Sequence, residues 1–138
     1  MFNQVLLLLP NQLFDPSILK KLIPDLERCQ IIIYRHPKFF TRYKYHKYKL
    51  AFHISTILAF MDELQKYNYH LELIDELCNN YDFLTDCDHL TIFDPVDFEI
   101  NNEITRYCKN HKKKFIKISI CLKLICLYNF KTSWFPVS

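Results

Sequence analysis

Glycine is absent from all 138 residues. Its absence excludes the glycine-rich phosphate loops and dinucleotide fingerprints, and also the glycine-flanked serine elbow of α/β-hydrolases. Tight turns must then be built from Asn, Asp or Pro. Asn, Lys, Ile, Tyr and Phe are plentiful instead, as an AT-rich coding sequence would produce, since glycine codons begin with GG.

Patterned cysteine is lacking too. Cys29, Cys78, Cys87, Cys108, Cys121 and Cys126 form no C-x-x-C pair, and no cysteine–histidine cluster has zinc spacing. Half of the chain is apolar. A domain of this size can bury a core without a disulfide framework, so small buried thiols and a reducing, intracellular compartment are expected. Long apolar runs are also scarce. The run at residues 5–9 has no basic flank and stops at Pro10, unlike a secretory signal. The stretch 118–128 contains Lys123 and is too short to span a bilayer. The expectation is a soluble protein with no membrane partner.

Acid is missing from one interval. No Asp or Glu stands between Glu27 and Asp62, although the formal net charge is only +3. Within that gap, residues 35–49 interleave cations with aromatics: Arg35, Lys38, Arg42, Lys44, Lys47 and Lys49 among His36, Phe39, Phe40, Tyr43, Tyr45, His46 and Tyr48. Cations such as Lys38, Arg42, Lys44 and Lys47 suit phosphates, and aromatic faces stack on bases or flat chromophores. Composition alone favours the plainer alternative, a solvated loop whose aromatics tuck onto the fold.

The apolar patterning alternates between two periods. Residues 2–9 read as a strand buried on both faces, because the apolar run is continuous. Asp15 then caps a short helix with Pro16 in its first position, closed by Pro24. Residues 30–34 form a second strand, followed by a loop over 35–45. The longest helix is expected over 46–67, with an apolar stripe of Leu50, Ile54, Ile57, Leu58, Met61 and Leu64. Residues 69–74 are a third strand, a short helix is expected near 75–79, and residues 89–93 are a fourth strand. Asp94-Pro95-Val96-Asp97 suits the start of a helix reaching about Asn110, and residues 114–118 are a fifth strand.

Such alternation predicts an α/β fold: a three-layer, Rossmann-like or flavodoxin-like domain of about five mostly parallel strands. Ligands of these sheets bind beyond the carboxyl ends of the strands. Among the residues there, the amides of Asn11 and Gln12 can face a ring edge-on, although a plain turn is the simpler reading. Asp94 and Asp97 could form a general acid/base pair, but both have a capping task at that spot. His53 reads as packed or solvated. No catalytic set stands out.

Three stretches resemble a known family. They are Leu7-Leu8-Leu9-Pro10-Asn11-Gln12-Leu13-Phe14, the block from Ile33 to Phe40 continued by Tyr43 to Leu50, and Thr91-Ile92-Phe93-Asp94-Pro95-Val96-Asp97. In order and spacing they resemble the front domain of deoxyribodipyrimidine photolyase-related proteins, of the photolyase and cryptochrome group, over about residues 1–118. The middle block is the most specific. The resemblance implies an α/β domain that in several relatives holds a lumazine or deazaflavin antenna chromophore. A larger helical domain then binds flavin adenine dinucleotide (FAD) and the DNA lesion, and one branch carries an iron–sulfur cluster there. By the same resemblance, Gln12, Arg35, Tyr45, His46 and Lys49 are the antenna-pocket candidates.

The sequence also departs from that pattern. Arg35 or His36 stands where the family usually has an acid after the second strand. After Ile118 comes Ser119-Ile120-Cys121-Leu122-Lys123-Leu124 instead of a Ser-Pro segment, and nothing familiar follows to Ser138. Residues 119–138 are therefore expected to be a divergent apolar tail, from a frameshift or a split gene. Cys121 and Cys126 are not cluster ligands on this reading. The chain alone would lack repair activity, either as a degenerate remnant or as one half of a split protein whose partner is a separate flavin-binding helical chain. The rival expectations are a small nucleic-acid-binding module using residues 35–49, and an antenna-chromophore carrier.

Overall fold

The computed structural model describes residues 3–41, 44–75, 77–78, 80–95 and 97–119. Its centre is β1 (Gln4–Leu8), whose last four residues are all buried. Side chains alternate across a strand, so Leu6 and Leu8 enter one core while Val5, Leu7 and Leu9 enter the other. β2 (Gln30–Tyr34) splits likewise, with Ile31 and Ile33 on the first face and Ile32 and Tyr34 on the second.

Around β1 lie β3 (His70–Ile74), β4 (His89–Phe93) and β5 (Lys114–Ile118) in the order β3-β2-β1-β4-β5. Every pairing is parallel. Helices α1 (Pro16–Leu22) and α3 (Lys47–Gln65) pack on one face. Helix α4 (Phe98–Asn110) packs on the other, with a 3-10 turn at Asp82–Leu84. The domain is thus a three-layer, Rossmann-like α/β fold, as the alternation of periods predicts. The chain runs outward from β1 through β2 to β3, then returns to β4 on the opposite side. That reversal puts the topological switch point between the carboxyl ends of β1 and β4.

The expected strands agree with the structure to within two residues at each end. Asp15 caps α1 as predicted, its Oδ1 accepting from the Ser17 amide at 2.9 Å. Three details differ. The loop expected over 35–45 contains a helical turn, α2 (Pro37–Phe40). Near residues 75–79, of which 76 and 79 lie outside the described residues, Asp75 makes a turn by accepting from the Leu77 amide. The helical turn of that connection falls later, at Asp82–Leu84. On α3, Leu58 is 58% exposed while Phe60 is buried. The core contact follows Leu50, Ile54, Ile57, Phe60, Met61 and Leu64, so the helix is rotated away from the expected stripe at Leu58. The tail proposed at 119–138 lies outside the described residues except for Ser119.

Without glycine, two of the described residues take positive φ: Asn68 at 58° and Lys112 at 53°. Asn tolerates that region through its short polar side chain. Lys112 has no such aid. It closes α4 with a double backbone bond, Lys113 N–H to Cys108 O and Lys112 N–H to Lys109 O, the arrangement that usually carries glycine.

Two stability outcomes follow. Left-handed backbone costs a non-glycine residue roughly 1–2 kcal/mol, part of which glycine's freedom in the unfolded chain offsets. Lys112→Gly is therefore expected to raise unfolding free energy by about 0.5–1 kcal/mol in urea titrations; a decrease would contradict the strained cap. Leu64→Ala, at a fully buried position, should lose about 2–5 kcal/mol. Leu58→Ala in dilute solution should stay within about 0.5 kcal/mol of wild type. Equal losses would restore the stripe that includes Leu58.

Candidate functional site

The carboxyl edge of the sheet gathers residues from four connections. At the switch point Gln12 is buried. Its Oε1 accepts from the Leu9 amide at 3.3 Å, and its Nε2 donates to the Phe93 carbonyl at 3.2 Å. One side chain thus joins the end of β1 to the end of β4. Phe14 seals the same spot, edge-on to Phe93 with ring centroids 5.1 Å apart.

His36 follows β2 and is 2% exposed. It caps α2: Nδ1 accepts from the Lys38 amide at 3.0 Å. An amide can only donate, so the proton of a neutral ring sits on Nε2. Nε2 meets Glu103 Oε1 of α4 at 3.0 Å. The same oxygen accepts from Tyr81 OH at 2.8 Å. Tyr34 lies edge-on to both His36 and Tyr81, and its hydroxyl donates to the Cys78 carbonyl at 2.5 Å. A partly buried polar knot therefore ties β2, the β3–β4 connection and α4 together.

Lys38 extends the tie. Its Nζ lies 2.5 Å from Asp97 Oδ2 and 3.0 Å from Glu99 Oε2. Asp97 is the N-cap of α4, accepting from the Ile100 amide at 3.0 Å. It thereby takes the capping task expected of the Asp94/Asp97 pair, while Asp94 is exposed. The hydrogen bonds that Lys38 donates to Asp97 and Glu99 hold its ammonium well above its usual range. Burial alone would raise the Asp97 carboxyl, but the Lys38 and Ile100 hydrogen bonds outweigh it and hold the group below the ordinary carboxylate range.

The candidates named from sequence divide in two. Gln12 sits inside the fold with both ends of its amide engaged, and Lys38 is tied to acids of α4. Arg35 is half-buried, its guanidinium 4.9 Å from the centre of the Phe40 ring. Tyr45 donates its hydroxyl to the Lys38 carbonyl, and Lys49 lies 4.6 Å from the centre of the Tyr45 ring. His46 caps α3, Nδ1 accepting from the Tyr48 amide at 3.2 Å. Lys44, His46, Lys47 and Lys49 are exposed. Arg42 lies outside the described residues. The edge therefore has an inner group, Gln12, Arg35 and Lys38, and an outer group at the start of α3.

Glu103, His36 and Tyr81 were not singled out as site residues by sequence. One signal for Glu103 was available: it interrupts the apolar stripe of α4 between Ile100 and Ile104. His36-Pro37 repeats the cap-then-proline pattern of Asp15-Pro16. Tyr81 gave no such sign. His53 is half-buried among Phe39, Phe40 and Phe52, and burial followed by the Lys49 charge lowers its pKa. Among the described residues no group of His, Cys, Asp and Glu could hold a metal ion, and no helix is long and apolar enough to cross a membrane. Cys29, Cys87 and Cys108 are buried and free; burial pushes Cys29 and Cys108 up to about 11, away from thiolate chemistry.

The Asp97 tie has a pH signature. Its folded pKa is depressed, so its stabilisation is fully present above the ordinary carboxylate pKa and is lost as pH falls through the lowered value. Asp97→Asn keeps a cap and loses the charge. Its urea stability should fall short of wild type near neutral pH and converge with it in acid. Asp97→Ala should lose about 1 kcal/mol more by removing the cap. A wild-type-to-Asn gap that does not narrow on acidification would show that the ion pair contributes nothing.

Comparison with known proteins bears on this edge. No curated protein matches the chain. The family model described as deoxyribodipyrimidine photo-lyase-related protein matches residues 6–120, from β1 past β5 and including every connection described above. By that match over most of its length, and with the α/β architecture in agreement, the chain belongs to the photolyase-related proteins.

Proposed function

We propose that this chain serves as the α/β front domain of a light-dependent DNA repair assembly and contributes structure rather than chemistry to it. On this reading a flavin-bearing helical chain supplies the electron transfer, and the front domain holds that partner in place. The observation that carries the proposal is the knitted carboxyl edge. Gln12 links β1 to β4, His36 and Tyr81 meet on Glu103, and Lys38 meets Asp97 and Glu99. These groups occupy the place where such a sheet would take a ligand, and their polar atoms face one another. Antenna binding by Gln12, Arg35, Tyr45, His46 and Lys49 would require Gln12 to give up bonds that join the two central strands.

The test has two arms. The purified chain is titrated with a lumazine and with a deazaflavin, followed by fluorescence anisotropy. It is also mixed with FAD and an irradiated thymine oligonucleotide under near-ultraviolet light, with and without a co-expressed flavin-binding helical chain. The expected outcome is no saturable chromophore binding, no repair by the chain alone, and repair when the helical chain is present. Saturable binding lost in Gln12→Leu would replace the scaffold reading with an antenna carrier. Repair by the chain alone would overturn the proposal outright.

A further inference from the structure

Helix α3 buries one face and leaves a second face open that carries large apolar side chains. Tyr48 is 71% exposed, Phe52 66% and Leu58 58%. Ala51, Ser55 and Ala59, also exposed, lie between them. At about 100° per residue these six form one stripe opposite the core contact of Ile57, Phe60 and Leu64. A helix apolar on both sides is normally covered on both sides.

We infer that the exposed face of α3 is a self-association surface, pairing antiparallel with α3 of a second copy of this chain about a two-fold axis at Ser55. The order of residues along the face carries this assignment. A two-fold interface must be complementary to itself. In an antiparallel pair, a residue one step before the axis meets the residue one step after it, on the same flank of the helix. Ala51 and Leu58 share one flank, a turn to either side of Ser55. Phe52 and Ala59 share the other. Phe52 and Leu58 thus each face an alanine from the second copy, while Tyr48, farther from the axis, comes beside the exposed Asp62. Ser55 faces itself, and its small side chain lets the two helices approach closely on the axis.

The charges are arranged in the same sense. Lys47 and Lys49 stand at the start of the helix, and Asp62 and Glu63 stand at its end, all exposed. Reversal of the second copy sets Lys47 opposite Asp62 and Lys49 opposite Glu63. A parallel pair would set like charges together. The helix dipoles also oppose favourably in the antiparallel pair. A helix of 19 residues is about 28 Å long, and one such pair falls at or below the roughly 800 Å² per partner of a standard interface. The association is therefore weak, with a dissociation constant in the micromolar range.

Sedimentation equilibrium of the full chain over micromolar to millimolar concentrations tests this. The expected mass rises from 16.8 kDa towards twice that value. Ser55→Arg, at a solvent-facing position, should weaken association about tenfold or more, by placing two cations on the axis. Lys47→Glu with Lys49→Glu should weaken it about tenfold, and adding Asp62→Lys and Glu63→Lys should restore it. Circular dichroism of each variant confirms that α3 is retained. A wild-type chain monomeric throughout overturns the inference, including the case in which it binds a single-stranded oligonucleotide through this face instead. So does a dimer indifferent to Ser55→Arg, or a charge reversal that its counterpart fails to rescue.

Discussion

The whole arrangement depends on β1 being apolar on both faces. Residues Val5 to Leu9 are at most 3% exposed, and a strand with that property cannot sit at an edge. It must lie at the centre of a sheet with a layer on each side. Once β1 is central, β2 and β4 take its two edges, and the chain has to reverse direction between them. The reversal fixes the crevice. It also decides which connections meet there, since parallel strands deliver all their carboxyl ends to one side.

What fills that side follows from chemistry more than from topology. The connections after β1 and β2 arrive with polar residues that would lose solvent on packing: Gln12, His36 and Lys38. A buried polar group is costly unless it is paired. Besides the local bonds of Gln12 to Leu9 and of His36 to the Lys38 amide, the fold pairs them across elements, Gln12 to Phe93, His36 to Glu103, Lys38 to Asp97 and Glu99. Each such bond spans the gap between the β1–β2 half and the β4–β5 half. The residues that give the carboxyl edge its polar character are therefore also the ones that hold the two halves together. This coupling is why a ligand-binding use and a structural use of Gln12 compete.

Much of this was legible in the sequence, for identifiable reasons. The continuous apolar runs at 5–9 and 31–33 dictate buried strands, and Asp15-Pro16 dictates a helix start, because each depends on neighbours a few residues away. The rotation of α3 was not legible. Leu58 and Phe60 are both apolar and both within reach of the stripe, and only the position of the sheet decides that Phe60 turns inward. The role of Lys38 was hidden for a related reason. In sequence it belongs to an acid-free interval and reads as a phosphate contact. Its acids, Asp97 and Glu99, come from α4, which the switch of direction brings to the same edge. Glu103 with His36 is a pairing of the same type, across 67 residues of sequence.

The absence of glycine sharpens the division between the two ends of the domain. Two turns at the amino edge, after α3 and after α4, are made with left-handed Asn68 and Lys112, which absorb the strain of the turn. Turns at the carboxyl edge avoid positive φ among the described residues and use a side-chain cap instead: Asp15, His36, His46 and Asp97 each accept from an amide of the helix that follows. A glycine-rich loop would have left bare amides there to cradle a phosphate. Caps supplied by side chains satisfy those amides internally. The composition that removes glycine thereby removes the commonest anion site of this architecture, and leaves recognition to side-chain surfaces such as the open face of α3.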